Sequence, residues 1–120
     1  MDAARKYPEK VILDLGLEWT DITGKPMVFG VFAARRDTPK SNVKRAYHSL
    51  MNELIEFETN QSRRDVIVKL SATNSGLSSA RLDQYFSEVF NRLDLEHIDG
   101  LNQFLIEACG LENGAEFLRF

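Results

Sequence analysis

Residues 27–34 read MVFGVFAA, eight consecutive apolar or glycine positions between Lys25-Pro26 and Arg35-Arg36-Asp37. No polar residue interrupts the run. A strand with one wet face alternates apolar with polar, whereas a strand buried on both faces does not. Gly30 and the β-branched Val28 and Val31 disfavour a buried helix here. Residues 11–15, VILDL, form a second short β-branched run that ends at Gly16. Both read as interior strands of a covered, mostly parallel sheet, and each needs neighbours on both sides. Two strands are marginal alone, so the missing ones are expected from a partner chain or from sequence outside this chain. The expected class is α/β, mostly helical, with two interior strands.

Helical periodicity dominates the remainder. Residues 16–22 (GLEWTDI) read as a short helix or turn, followed by the loop Thr23-Gly24-Lys25-Pro26. Thr38-Pro39 is a helix start, with Thr38 expected as N-cap and Pro39 at the first helical position. Val43, Ala46, Tyr47, Leu50, Leu54 and Phe57 then recur at helical spacing to about Glu58. Residues 60–73 read as a second helix, although Val66-Ile67-Val68 leaves a strand open; Gly76 closes the segment. Ser78 is a clear N-cap, with Leu77 and Leu82 at the hydrophobic-staple positions. Leu82, Tyr85, Phe86, Val89 and Leu93 make one apolar face. A last helix is expected from about Ile98 to Cys109, with Leu101, Phe104, Leu105 and Ala108 buried and Gly110 as its stop. Residues 115–120 (AEFLRF) are a short apolar tail expected to dock on a core.

Composition excludes several classes. The 120 residues are 43% hydrophobic with 15 Lys+Arg against 18 Asp+Glu, an ordinary globular balance. A net charge of −3 gives no electrostatic case for nucleic acid. No apolar run approaches the ~20 residues of a membrane span. The first ten residues lack the apolar core of an export signal, and the expected location is cytoplasmic. One cysteine forms no internal disulfide, and with two distant histidines it makes no zinc site. No metal or organic cofactor is implied.

No catalytic set can be assembled from the residues. His48 and His97 lack metal-ligand spacing and read as surface or partly buried polar groups. Cys109 has no base partner and reads as core filler on the apolar face of the last helix. The glycines form no phosphate loop. Arg35 stands at the end of an apolar strand, where an arginine can hold a carboxylate in a bidentate fork. Gly16 lies at a strand-to-helix turn, where backbone N–H groups can bind an anion or where a plain tight turn suffices. Trp19 suits either a cleft wall or core packing.

Residues 14–35, DLGLEWTDITGKPMVFGVFAAR, carry the pattern D-L-G-x-x-W-x-x-x-T-G-x-P-x-V-F with a later arginine: Asp14, Leu15, Gly16, Trp19, Thr23, Gly24, Pro26, Val28, Phe29 and Arg35. This resembles the chorismate dehydratase family of the futalosine route to menaquinone. Residues 76–86 (GLSSARLDQYF) and 99–111 (DGLNQFLIEACGL) resemble that family's C-terminal helices. Phe32 stands where these enzymes often have Trp, and Gly30 where Ala is common. A sister family, dihydroxynaphthoate synthase, shares the D-L-G-x-x-W stretch but has a different segment after the proline.

The resemblance covers nearly all of this chain and somewhat under half of the family's. It implies part of a two-lobed fold like type II periplasmic binding proteins: residues 1–27 ending a middle lobe, residues 28–34 an interlobe crossover strand, and residues 35–120 a helical part of the other lobe. It also implies removal of the 4-hydroxyl of chorismate as water. The groups for that chemistry would lie in the family's N-terminal half, so this chain alone is expected to be inactive, with no catalytic residue of its own. Gly16, Trp19, Thr23, Pro26, Phe29 and Arg35 are the expected substrate-binding residues, the first, third and last as donors to the carboxylates and the others as an apolar wall. The expected partner is a small-molecule carboxylate. Three other readings stay open: a non-catalytic solute-binding protein of the same fold, a relative of dihydroxynaphthoate synthase, or a helical interaction domain that forms a homodimer.

Overall fold

The computed structural model describes residues 7–120. A 3-10 turn at Pro8–Lys10 is followed by α1 (Leu15–Thr23), α2 (Lys40–Thr59), α3 (Gln61–Ser75), α4 (Ser79–Glu88) and α5 (Leu95–Glu107). The chain divides into two compact units. One comprises residues 7–32 and 92–119 and holds α1 and α5; the other comprises residues 33–91 with Phe120 and holds α2, α3 and α4.

The expected α/β class is therefore corrected: the described residues contain helices and no strand. Residues 27–34 belong to no helix or strand, and none of their backbone groups hydrogen-bonds within the described residues. Phe29 and Phe32 are 79% and 88% exposed. A lone apolar run has no ladder to join, and a strand exists only through its ladder. The run at residues 11–15 is cut short by Asp14, whose carboxylate accepts from the N–H groups of Gly16 (3.0 Å) and Leu17 (3.2 Å) and so commits Leu15 to a helix.

In the second unit, α2 begins one residue later than expected. Pro39 itself occupies the cap position without a side-chain bond, and the Thr38 N–H donates to the Arg35 carbonyl in a turn. Asn60, extended at φ −115°, ends α2 and caps α3 by accepting from the Arg63 N–H. The Val66-Ile67-Val68 segment is helical. Gly76, at φ 71°, stops α3 in the left-handed conformation that glycine adopts without a Cβ penalty. Ser78 caps α4 by accepting from the Arg81 N–H, and Leu82 is buried as the staple requires. The expected face through Val89 and Leu93 is shorter in fact, because Val89 is already extended (φ −97°, ψ 127°). Phe57, Val68 and Leu82 form this unit's core, one from each helix. The Phe57 and Phe86 rings meet edge-on at 5.2 Å. The Arg64 guanidinium lies 4.8 Å over Phe57 while donating to Asp83 at 2.8 Å. Phe120 rests against Tyr47, with ring centroids 5.5 Å apart.

In the first unit, α5 starts three residues before the expected position because Asp94 is its cap, accepting from the His97 N–H. Leu101 is buried, and Gly110 (φ 69°) follows the helix as expected. Cys109 is exposed rather than buried: α5 ends at Glu107, so the helical face that would have carried its thiol inward stops short of it. The segment after α5 folds back onto Asn102, whose side-chain Oδ1 accepts from the Ala115 N–H at 2.9 Å. No described helix is long and apolar enough to cross a membrane.

Candidate functional site

The motif residues of the first unit cluster around α1, and most of them act on its ends. Asp14 accepts the two free N–H groups of the first turn, including that of Gly16. That donor is thereby occupied, so Gly16 serves the turn rather than presenting an N–H to an anion. Its missing side chain has a second consequence. A Cβ on Gly16 would lie 3.0 Å from the Phe29 ring, which packs into the space left open.

The other end of α1 is closed by Thr23 and Gly24. The Thr23 hydroxyl donates to the Trp19 carbonyl at 2.7 Å and accepts from the Lys25 N–H at 3.1 Å. Gly24 takes φ 69°, and its N–H donates to the Thr20 carbonyl. Pro26 follows, where proline cannot continue a helix. Its carbonyl lies against Gly100 of α5, and Lys25 pairs with Asp99 at 2.7 Å. The spacing D-x-G-x-x-W-x-x-x-T-G-x-P thus encodes a helix with both ends capped and its exit fixed to α5.

Trp19 packs edge-on against Phe104 at 5.5 Å. Its indole nitrogen is sealed from solvent with no acceptor among the described residues, so it is not offered to a ligand. The outer side of this pair forms an apolar pocket of about 370 Å³, lined by Leu13, Leu15, Trp19, Ile22, Met27 and Phe104, with Glu18 its one charged lining residue. Such a wall does not attract a dicarboxylate: it supplies no cation, and Glu18 repels one.

Arg35 belongs to the second unit. Its side chain is 84% exposed, and the guanidinium is held in a fork by Asp37, through Nε at 3.0 Å and Nη2 at 2.7 Å. Two of its five N–H donors are engaged, which leaves three for another acceptor. Of the six expected binding residues, the structure brings Gly16, Trp19, Thr23, Pro26 and Phe29 together around one helix. Thr23 and Pro26 are half-buried in capping contacts, while Phe29 is exposed. The sequence reading missed Phe104 as the partner of Trp19 and the Lys25–Asp99 pair. The apolar periodicity of α5 could have pointed to Phe104, but nothing in the spacing links Lys25 to Asp99.

Elsewhere, His97 Nδ1 and its backbone N–H both engage Asp94, which holds that carboxyl below the usual carboxylate range. The Arg63 guanidinium is pushed further up by its hydrogen bond to Glu53 at 2.6 Å. His48 is exposed with its ring edge-on to Tyr47. No group of three or more His, Cys, Asp or Glu that could hold a metal ion occurs among the described residues.

A family model described as menaquinone biosynthesis matches residues 1–109 of this chain. No curated protein and no solved structure gives a match.

Proposed function

We propose, from the premise that this chain belongs to the menaquinone biosynthesis family, that its part in the pathway is handling chorismate for a carbon–oxygen lyase step. The family match gives a role in menaquinone biosynthesis. The finer assignment rests on residues 14–35, which carry the dehydratase-like pattern within the matched region. In the proposed reaction the ring of chorismate loses its 4-hydroxyl and a ring proton as water. The C–O bond breaks, the ring becomes aromatic, and 3-(1-carboxyvinyloxy)benzoate remains. No oxidant, reductant or metal is needed for that balance.

In this reading the chain contributes binding. Arg35 carries the positive charge for one substrate carboxylate, with Asp37 fixing the guanidinium plane and the remaining donors meeting the ligand. Taken by itself, the first unit offers apolar contact through the exposed Phe29 ring and Pro26. Gly16, Trp19 and Thr23 act behind them: Gly16 leaves room for Phe29, and Thr23 and Trp19 hold the helix that presents it. The general acid and base that the step requires are not assigned to any residue of this chain.

Turnover is the test. The purified 120-residue chain is incubated with chorismate, and the products are separated by chromatography with mass detection. The expected result is no 3-(1-carboxyvinyloxy)benzoate above a boiled control from this chain alone. Product above that control would overturn the assignment of a purely binding role.

A further inference from the structure

We propose that Lys40 and Lys44, in the first turns of α2, hold the second carboxylate of a dianionic ligand whose first carboxylate is forked by Arg35. The inference rests on the chorismate-binding reading and deepens it: the site becomes one for dicarboxylates rather than for any carboxylate. All three residues lie in the second unit.

Arg35 itself creates the need for another cation. Asp37 occupies its Nε–Nη2 edge. The edge left open is the width of one carboxylate. Chorismate carries two, one on the ring and one on the enolpyruvyl side chain.

The chain places the lysines close by. The Thr38 N–H donates to the Arg35 carbonyl at 3.0 Å, so the backbone turns back on itself just before α2 begins at Lys40. A turn of that kind and two further peptide units keep the Lys40 backbone within roughly 15 Å of that of Arg35. Lys40 and Lys44 stand four residues apart in a helix, hence on one face and about 6 Å from each other. Both are exposed, and no carboxylate pairs with either among the described residues. The neighbouring Arg45 is tied to Asn42 at 3.2 Å.

This order of charges works against the helix that carries it. α2 has no acid in its first turn and no base in its last. Its cations, Lys40, Lys44 and Arg45, come first, and its acids, Glu53, Glu56 and Glu58, come last. A helix is stabilised by the opposite order, because its N-terminal end is positive. Lys40 and Lys44 also repel each other across one turn. Of the five α-helices, α2 alone starts without a side-chain cap bond. A solvated face needs no such arrangement, whereas an anion bound between the cations relieves it. Local rules of stability are broken in this way where a chain binds something.

Two simple aromatic acids test the proposal, isophthalate with two carboxylates and benzoate with one. Each is titrated into the 120-residue chain and followed by amide chemical shifts. The wild type is expected to prefer isophthalate by roughly tenfold or more, the effect of one further charge-assisted contact. Lys40→Met combined with Lys44→Met keeps the side-chain stems and removes both charges. This double variant is expected to bind isophthalate only as well as benzoate, with benzoate affinity unchanged. Arg35→Ala is expected to weaken both acids. Without ligand, the double variant is expected to unfold at a urea midpoint no lower than that of the wild type, since it takes cations away from the positive end of a helix. A wild type that binds isophthalate no better than benzoate, or not at all, would overturn the proposal. So would a preference that survives the double substitution, or a lowered midpoint, which would give the lysines to the fold. If the isophthalate preference and its loss hold while chorismate fails to bind, the dicarboxylate site stands and the chorismate assignment alone falls.

Discussion

The carbonyl oxygen of Pro26 lies 2.5 Å from the point where a Cβ would stand on Gly100, so α5 approaches the segment leaving α1 as closely as a helix without a side chain allows. The contact joins the end of the Thr23-Gly24-Lys25-Pro26 stretch to the buried middle of α5, beside the Lys25–Asp99 pair. Gly100→Ala should therefore force the two apart. The cost expected for overpacking a close backbone contact is about 1–3 kcal/mol, read as a lower urea midpoint. A midpoint equal to that of the wild type would show that the approach is not tight.

The N-terminal cap of α1 offers a second test. Asp14 satisfies two N–H groups with one carboxylate oxygen. Asp14→Ala should cost about 1 kcal/mol, the usual value of such a cap, and Asp14→Ser should recover most of it. Equilibrium unfolding followed by Trp19, the single tryptophan of the chain, reports on the affected helix directly.

Much of this helical framework was legible in the sequence, and the reason is local. Ser78 with Leu77 and Leu82, Gly76 after α3 and Gly110 after α5 each act through bonds or backbone angles within one turn. Residues 27–34 were misread because burial of a strand is a property of its neighbours. An uninterrupted apolar run is consistent with an interior strand, but without a ladder it remains an unpaired segment with Phe29 and Phe32 exposed. Cys109 failed for a related reason, since a two-residue error in where α5 ends moves a side chain from the core to solvent. The site was partly legible. The motif around Gly16, Trp19 and Thr23 marks a real structural cluster, yet their polar groups turn inward to cap and pack the helix. Residue type alone does not separate a donor that closes a turn from one that meets a ligand.

Arg64 ties all three helices of the second unit, lying over Phe57 of α2 and bonding Asp83 of α4. Its side chain is only 22% exposed, so packing is lost along with charge when it is removed. Arg64→Ala should cost about 1–2 kcal/mol, and Arg64→Met less, because the methionine keeps part of the contact with Phe57. A double-mutant cycle with Asp83→Asn isolates the ion pair, expected to contribute under about 1 kcal/mol since Asp83 is exposed. A larger coupling would contradict the packing account.

Asp94 gives a pH prediction with a definite sign. Its carboxyl is held below the ordinary aspartate value of 3.8 by hydrogen bonds from the backbone N–H and ring of His97. A depressed carboxylate pKa contributes stability that is present above the unfolded value and lost as pH falls through the folded one. The urea midpoint should accordingly fall as pH drops below about 3.8. Asp94→Asn keeps an acceptor at the cap but does not titrate, so its difference from the wild type should shrink over that same interval. A difference that stays constant across it would remove Asp94 from the acid response.

Binding of chorismate is the most direct test of the functional account, and isothermal titration calorimetry measures it without requiring turnover. The account predicts saturable binding at one site per chain. It also predicts that Arg35→Ala weakens binding roughly tenfold or more, the usual effect of losing a charge-assisted fork to a carboxylate, while Arg35→Lys recovers only part of it. No binding by the wild-type chain, or equal affinity in wild type and Arg35→Ala, would contradict it.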